Sequence, residues 1–430
     1  MSSVSEERER RQVVPDAGCG VVVGVDISKG RADWRGCRPG QWGKRHHLVQ
    51  DEAGFLGFEE QLRALAEEGR EVWVAMEPTG PYGLCLQEWL LERGWRTVLV
   101  NPYHVHRTQE IPDNSPGKDD AKDPGVIAEL VWRGSYSHPR HVEGPYAELR
   151  AGIREWFSLA KKRTATENEA RALLEVWFPE LGRLFRSGLC LSVRAVIRRY
   201  ESPQAVLGAG KGRLRRTLRA GTSGQGGRYA EAILEAAKQS VALREGQLSR
   251  VRALRGLVAQ LELVERRQEQ LRGELEQSLT ETAEGECLRS VPRLGVIIAA
   301  GLLGECGPLG DFPREAALEK FVGLHLYRRA SGMRRGKPHI TKRGRSGARA
   351  LLGRLAALHM QPGGLGWAWA QRQRERGKQG VEIQVGLARK LLGLVHGLCR
   401  RHEHFDRKRW EAGAQVADGV GVLHGMRVAA

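Results

Sequence analysis

Four carboxylates in the first third of the chain are spaced so that they could share a cation: Asp26, Glu77, Asp120 and Asp123. Asp26 stands just before the end of Val21-Val-Val-Gly-Val-Asp-Ile27, a β-branched run that reads as a buried strand. Glu77 directly follows Glu71 to Met76, a second such run. Asp120 and Asp123 lie in Lys118-Asp-Asp-Ala-Lys-Asp-Pro124, three residues apart, and share a face if a helix begins near Asp119. In open α/β sheets, ligands gather at the carboxyl ends of the strands. Carboxylates brought together there repel one another and stay ionised only if a hard cation compensates. Mg²⁺, or Mn²⁺ in its place, takes oxygen ligands of this kind. Two such ions about 4 Å apart can clamp the attacking and leaving oxygens of a phosphodiester. Taken singly, each acid is equally an ordinary turn former or helix cap. The ordered set is what points to a metal site.

A second feature is the opposite in charge. Residues 320–374 contain thirteen Lys and Arg and no Asp or Glu, where the chain average would place about six acids. Its centre, Tyr327-Arg-Arg-Ala-Ser331-Gly-Met-Arg-Arg-Gly-Lys337, sets a lone Ser-Gly between arginine pairs. Such a stretch is either a surface facing phosphates or a solvated basic loop with a turn serine. Arg328, Arg329, Arg334, Arg335, Lys337, Lys342, Arg343 and Arg349 are its candidate phosphate contacts.

The elements that must position these groups follow from periodicity. Short strands are expected at Arg31 to Cys37 and Arg45 to Val49, a helix at Phe55 to Glu68, a helix at Tyr82 to Arg93 and a strand at Arg96 to Val100. Three strands followed by alternating helix and strand predict an α/β domain with a mixed sheet. From Glu148 to about Phe185 the pattern is helical and basic, and helix continues through Ser192 to Arg199. Ser202-Pro203, the glycines of 207–212 and Gly221 to Gly227 read as breaks. Leu254, Leu257, Leu261, Val264, Gln268, Leu271 and Leu275 then alternate steps of three and four, as in a coiled coil or a long hairpin helix. The crowding of charge at the other positions favours an oligomer seam. Leu288 to Ala300 resembles a helix-hairpin-helix, with Arg293 where that motif usually has its first glycine.

Composition bounds the partners. The net charge is +18 and the pI about 10.0, so a polyanion is the expected partner and a membrane surface is not. Seven scattered cysteines form no Cys-x-x-Cys pair, which argues against a disulfide framework or zinc ribbon and suits a reducing compartment. His104-x-His106 and His402-x-His404 lack metal-ligand spacing. Met1 to Gln12 is too polar for a signal peptide, and the longest apolar run, Leu294 to Leu303, is too short to span a bilayer. A soluble intracellular protein is expected.

Taken together, the motifs resemble those of a known family. Val-Gly-Val-Asp26-Ile-Ser-Lys, Met-Glu77-Pro-Thr-Gly, Asn101-Pro102, Lys118-Asp-Asp120-Ala-Lys-Asp123 and Lys162-Arg-Thr164 with Asn168 occur in order. Ser331-Gly332 with Gly336, Ile340-Thr-Lys-Arg-Gly344, Arg349 and Ala388-Arg-Lys-Leu-Leu392 follow. This series resembles the DEDD transposases of the insertion-sequence one-ten family. Asp119 and Pro124 depart from it, since Thr or Ser and Ala usually stand there. The resemblance implies an α/β RNase H-like (RuvC-like) N-terminal domain, a helical, coiled-coil middle and a mostly α-helical C-terminal transposase domain. The corresponding divisions are a tail at 1–18, then 19–143, 144–283, 284–408 and a tail at 409–430. It implies that Asp26, Glu77, Asp120 and Asp123 bind Mg²⁺ and that Ser331 attacks a phosphodiester to give a phosphoserine. It also implies a cytoplasmic, nucleoid-associated protein of a prokaryote, with donor and target DNA as substrates, a structured bridge RNA as guide, and a homodimer or tetramer whose sites draw their serine and carboxylates from different subunits. Three other readings stay open on the residues alone. One is a hydrolytic RNase H-like nuclease such as a junction resolvase. Another is a sugar-kinase-like fold, which would need a second Gly-rich phosphate motif that is missing. The third is a non-catalytic nucleic-acid-binding relative.

Overall fold

The computed structural model describes residues 14–67, 69–78, 80–108, 123–140, 142–185, 188–327, 330–331, 334–335 and 338–411. The chain divides into two compact units, one up to residue 141 and the other from Val142 onward.

The first unit is a mixed sheet between two layers of helices. Its strands are β1 (Gly20–Ser28), β2 (Arg31–Arg38), β3 (Gln41–Trp42), β4 (His46–Val49), β5 (Glu71–Met76) and β6 (Arg96–Leu99). Its helices are α1 (Glu52–Glu67), α2 (Leu84–Glu92), α3 (Pro102–Thr108) and α4 (Asp123–Trp132). The order is β3-β2-β1-β5-β6, with β4 also paired to β2. β1 and β2 are antiparallel, joined by a tight turn with Gly30 at φ +77°, whereas β1, β5 and β6 are parallel. Successive residues of a strand face opposite sides, and β1 shows both. Val21, Val23, Val25 and Ile27 pack with Phe55, Phe58, Leu62, Leu86 and Leu90 on the α1/α2 side. Val22 packs with Trp73, Ala75, Val98, Val126, Ile127 and Val131 on the α4 side. The expected strands and helices are therefore present, with β3 as an added short strand.

The second unit is built on two long antiparallel helices. They are α5 (Gly144–Trp177) and, after the short helices α6 (Pro179–Leu184), α7 (Leu191–Arg199), α8 (Pro203–Gly221) and α9 (Ala230–Lys238), α10 (Gln247–Thr280). Each long helix has 34 residues, or about 50 Å. They join two cores. At one end, Leu174, Trp177, Val251, Leu254 and Leu261 pack with α6 to α9. At the other, Leu149, Ile153, Leu271, Leu275 and Leu279 enter the core of the C-terminal helices. Those helices are α11 (Gly285–Arg289), α12 (Val296–Cys306), α13 (Glu315–Val322), α14 (Ser346–His359), α15 (Trp367–Glu375) and α16 (Gly380–Arg401). Between α13 and α14 lie the two-residue strands β7 (Leu326–Tyr327), β8 (Ala330–Ser331), β9 (Arg334–Arg335) and β10 (His339–Ile340).

One expectation is corrected here. The heptad residues of α10 do not wait for a second chain: Leu254, Leu261, Leu271 and Leu275 are at most 2 % exposed, covered by α5 and the flanking helices of the same chain. The charged neighbours that suggested an oligomer seam are bound within the chain too. Glu265 receives two hydrogen bonds from Arg194, at 2.6 and 2.9 Å, and Arg267 reaches Glu155 on α5 at 2.7 and 2.9 Å. The break expected at the glycines of 207–212 is present: Gly210, at φ +67°, is non-helical and kinks α8 into two helical parts.

Candidate functional site

The carboxylates are placed by one close contact. β1 and β5 run parallel with Val25 beside Met76, so Asp26 and Glu77 come next in register at the same end of neighbouring strands. Asp26 shares strand parity with Val22 and Gly24, which places it on the α4 side. The first turn of α4 lies directly on Gly24, where a Cβ would be 1.9 Å from the Pro124 carbonyl oxygen and 3.1 Å from the Ala128 nitrogen. Only a glycine lets the helix come so near. Trp42 Nε1 donates to Glu129 at 3.0 Å and Trp132 Nε1 to the Cys37 carbonyl at 3.3 Å, fastening the rest of α4 to the sheet. Asp123, the first residue of α4, is 8 % exposed. Asp26 and Glu77 thus stand in register at one end of the β1/β5 pair, and Asp123 opens the helix whose first turn rests on Gly24, two residues before Asp26. Asp120 lies outside the described residues. Among the described residues, no group of three or more His, Cys, Asp or Glu side chains is arranged to hold a metal ion. The donor set, all carboxylate oxygen, is nonetheless the class that Mg²⁺ takes.

A further acid on this face went unnoticed in the sequence. Asp33 on β2 is the direct cross-strand partner of Asp26, and side chains so paired stand about 5 Å apart. Burial pushes its carboxyl up, but hydrogen bonds from Arg45 and His47 outweigh this and hold it below its ordinary value. It is thus an ionised, already partnered neighbour of Asp26. The signal was present: a tight turn over Ser28 to Arg31 fixes the pairing and sets residue 33 opposite 26.

The serine segment hangs from the end of α13. β7 pairs with β10, Leu326 beside Ile340 and Tyr327 beside His339, and the chain between them carries Ser331. Within that span the backbones of Ala330 and Ser331 pair with Arg335 and Arg334. Arg328, Arg329 and Lys337 lie outside the described residues.

The return strand is tied to α13 by its backbone. Arg345 N donates to the Phe321 carbonyl at 3.0 Å and Lys342 N to the Gly323 carbonyl at 3.1 Å. Gly344 has φ +137°, and a Cβ there would lie 2.2 Å from the Phe321 oxygen. Arg349, expected to hold phosphate, instead donates to the Val322 carbonyl at 3.0 Å and closes the open C-terminal end of α13. Lys342 and Arg343 are exposed. Behind α13, Arg389 grips Glu319 with two hydrogen bonds, at 2.9 and 3.0 Å. The neighbouring Glu315 is held above its ordinary value by burial and then by repulsion from Glu319.

The helix-hairpin-helix-like turn is likewise used internally. Arg293 adopts the left-handed conformation at φ +59°, where that motif has glycine. Its guanidinium donates to the carbonyls of Leu358 and Pro362, and most of α12 behind it is buried.

Comparison with known proteins points to one family. A DEDD-type IS110 model, described as a transposase, matches residues 23–179, the span of all four acids. The model of the transposase IS116/IS110/IS902 family matches residues 285–363, the span of Ser331. An uncharacterized 43.6 kDa protein of insertion element IS110 of Streptomyces coelicolor is 27 % identical over 409 residues, 93 % of this chain and 98 % of its own length. The corresponding protein of IS116 of Streptomyces clavuligerus is 24 % identical, covering 88 % of this chain and 94 % of its own. That of IS900 of Mycobacterium paratuberculosis is 25 % identical, with 83 % and 89 % covered. Among the described residues, no helix is long and apolar enough to cross a membrane. With both halves matched by models of one family and relatives aligned along almost their whole length, the chain belongs to the IS110 family of DEDD transposases.

Proposed function

We propose that this protein cuts and rejoins DNA to move its own insertion element, with Ser331 as nucleophile. The observation that supports this reading is the seating of α4, whose first residue is Asp123, on Gly24 of the strand that carries Asp26. Asp26, Glu77, Asp120 and Asp123 would hold Mg²⁺ or Mn²⁺, which when bound supplies Lewis-acid stabilisation of charge on a phosphodiester.

The serine half of the chemistry is a transesterification. The Ser331 Oγ–P bond forms as one P–O bond to deoxyribose breaks; the hydroxyl loses its proton and the departing sugar oxygen gains one. Because one phosphoester replaces another, the bond energy is retained and a sugar hydroxyl can reverse the step to join strands. A serine hydroxyl is a weak nucleophile unless its proton is drawn away, and arginines beside it stabilise charge on the pentavalent transition state. Arg328, Arg329, Arg334, Arg335, Lys337, Lys342 and Arg343 supply that field. Arg349 acts one step back, by holding the end of α13.

Donor and target DNA would be chosen by a structured RNA encoded by the element, and the protein would act as a dimer or tetramer. A denaturing gel tests the nucleophile. The wild-type chain, incubated with element-end DNA and Mg²⁺, should leave protein covalently attached to DNA, and Ser331→Ala should leave none while still binding DNA. Normal excision and joining by Ser331→Ala would refute the assignment; cleavage without an adduct in the wild type would favour a hydrolytic nuclease.

A further inference from the structure

The chain has a second acid-free basic segment, lying between the residues matched by the two family models, which end at 179 and resume at 285. Residues 202–230 contain Lys211, Arg213, Arg215, Arg216, Arg219 and Arg228 and no Asp or Glu, where about three acids would be average. All six basic residues are exposed. They are carried by a rigid support: Leu214 and Leu218 of α8 are fully buried in the core at that end of the long helices. At about 100° per residue, Arg215, Arg216 and Arg219 occupy a single exposed arc of the helix. Arg228 follows the turn at Gly226 and Gly227, over which the stems of Arg215 and Arg219 run. A Cβ on Gly227 would lie 3.0 Å from Arg219 Cγ and 3.2 Å from Arg215 Cγ.

What distinguishes these arginines is that no carboxylate pairs with them. Several neighbouring arginines of this core are committed: Arg194 to Glu265, Arg198 to Glu262, Arg171 to Glu167, and Arg255 to the carbonyls of Ile197 and Tyr200. Among the described residues, no carboxylate stands within ion-pair distance of Arg213, Arg215, Arg216, Arg219 or Arg228; the nearby Glu231 pairs with Lys211. A concentration of like charge on a folded helix costs self-repulsion, which an approaching polyanion relieves.

We infer that the arc of Arg215, Arg216, Arg219 and Arg228 is a docking surface for the sugar-phosphate backbone of duplex DNA, separate from the cleavage residues. The form of the surface selects the ligand. Binding of single strands relies on exposed aromatic rings for stacking. The one aromatic here, Tyr229, lies edge-on to Phe185 at 5.0 Å and receives a hydrogen bond from Arg228 at 2.9 Å. A convex arc of arginines contacts phosphates without reading bases, and the family acts on DNA. The inference does not depend on which residue is the nucleophile.

The test is binding of the full-length chain to a duplex DNA of unrelated sequence, and to an RNA duplex of equal length, from about 50 to about 200 mM salt. Each neutralised phosphate contact contributes about 0.9 to the slope of log affinity against log salt for B-DNA. Replacing all four arginines by Gln should flatten the DNA slope by about 3 to 4, and replacing all four by Lys should preserve most of it, with the melting temperature unchanged in both. Should the fourfold Gln chain fail to fold, the four single variants decide: each should lose about 0.9. Unchanged DNA slopes throughout would overturn the inference, as would an effect confined to RNA.

Discussion

Replacing Gly24 by alanine adds one methyl carbon where α4 rests on β1, and its consequence can be worked out. The new Cβ would lie 1.9 Å from the Pro124 carbonyl oxygen, a backbone atom with no rotamer by which to escape. An ordinary contact is about 3.5 Å, so the first turn of α4 must retreat by about 1.5 Å. Asp123, adjacent to Pro124, moves with it. Metal ligation tolerates errors of only about 0.2 Å, so Mn²⁺ affinity measured by titration calorimetry should fall at least about tenfold. Overpacking of this kind costs about 1–3 kcal/mol, offset by about 0.4–1 kcal/mol from the smaller entropy of the unfolded chain. The net expectation is a destabilisation of about 1–2 kcal/mol, with the chain still folded. Gly57, inside α1 with nothing within 4 Å of an added Cβ, is the control. Alanine there should stabilise by about 0.5–1 kcal/mol and leave Mn²⁺ binding unchanged. If Gly24→Ala melted with the parent and bound Mn²⁺ equally well, the seating of α4 would not be what assembles the carboxylates.

Two further outcomes follow from the support of the serine segment. Arg389→Met should destabilise the second unit by about 3 kcal/mol, read as a lower urea midpoint, because it leaves the Glu319 carboxylate buried and unmatched. Glu315→Gln should do the reverse, with a definite pH dependence. The folded-state pKa of Glu315 is raised above its ordinary 4.5, so its ionisation opposes folding; stability is full below the unfolded value and is lost as pH rises through the folded one. The stabilising effect of Gln should therefore vanish near pH 4 and grow to a plateau near neutrality. A pH-independent effect would show that charge at Glu315 is not the cause.

How much of this was legible in the sequence varied with the kind of question. The β-branched runs ending at Asp26 and before Glu77 announced buried parallel strands, because a strand covered on both faces cannot alternate polar and apolar residues. The order of motifs sufficed for the family. Charge composition announced a polyanion partner without saying which arginines would meet it. Arg349 read as a phosphate-facing candidate, yet it donates to the Val322 carbonyl, since the end of a helix leaves oxygens to be satisfied. The heptad pattern of α10 was read correctly as a buried stripe. Periodicity reports that a face is covered and is silent on which chain covers it.

The sequence by itself determined the strands and helices of the first unit, and the family. Tertiary structure alone decided that α4, which begins at Asp123, rests on β1 at Gly24, and that Asp33 stands opposite Asp26 already paired with Arg45 and His47. It alone separated the paired arginines of the α8 core from those that no carboxylate pairs with. The physical reason is the same in each case. Local pattern is set by neighbours along the chain. The distance between a helix and a strand, or between a cation and its counter-ion, is set by groups far apart in sequence whose fit exists only once the chain has folded.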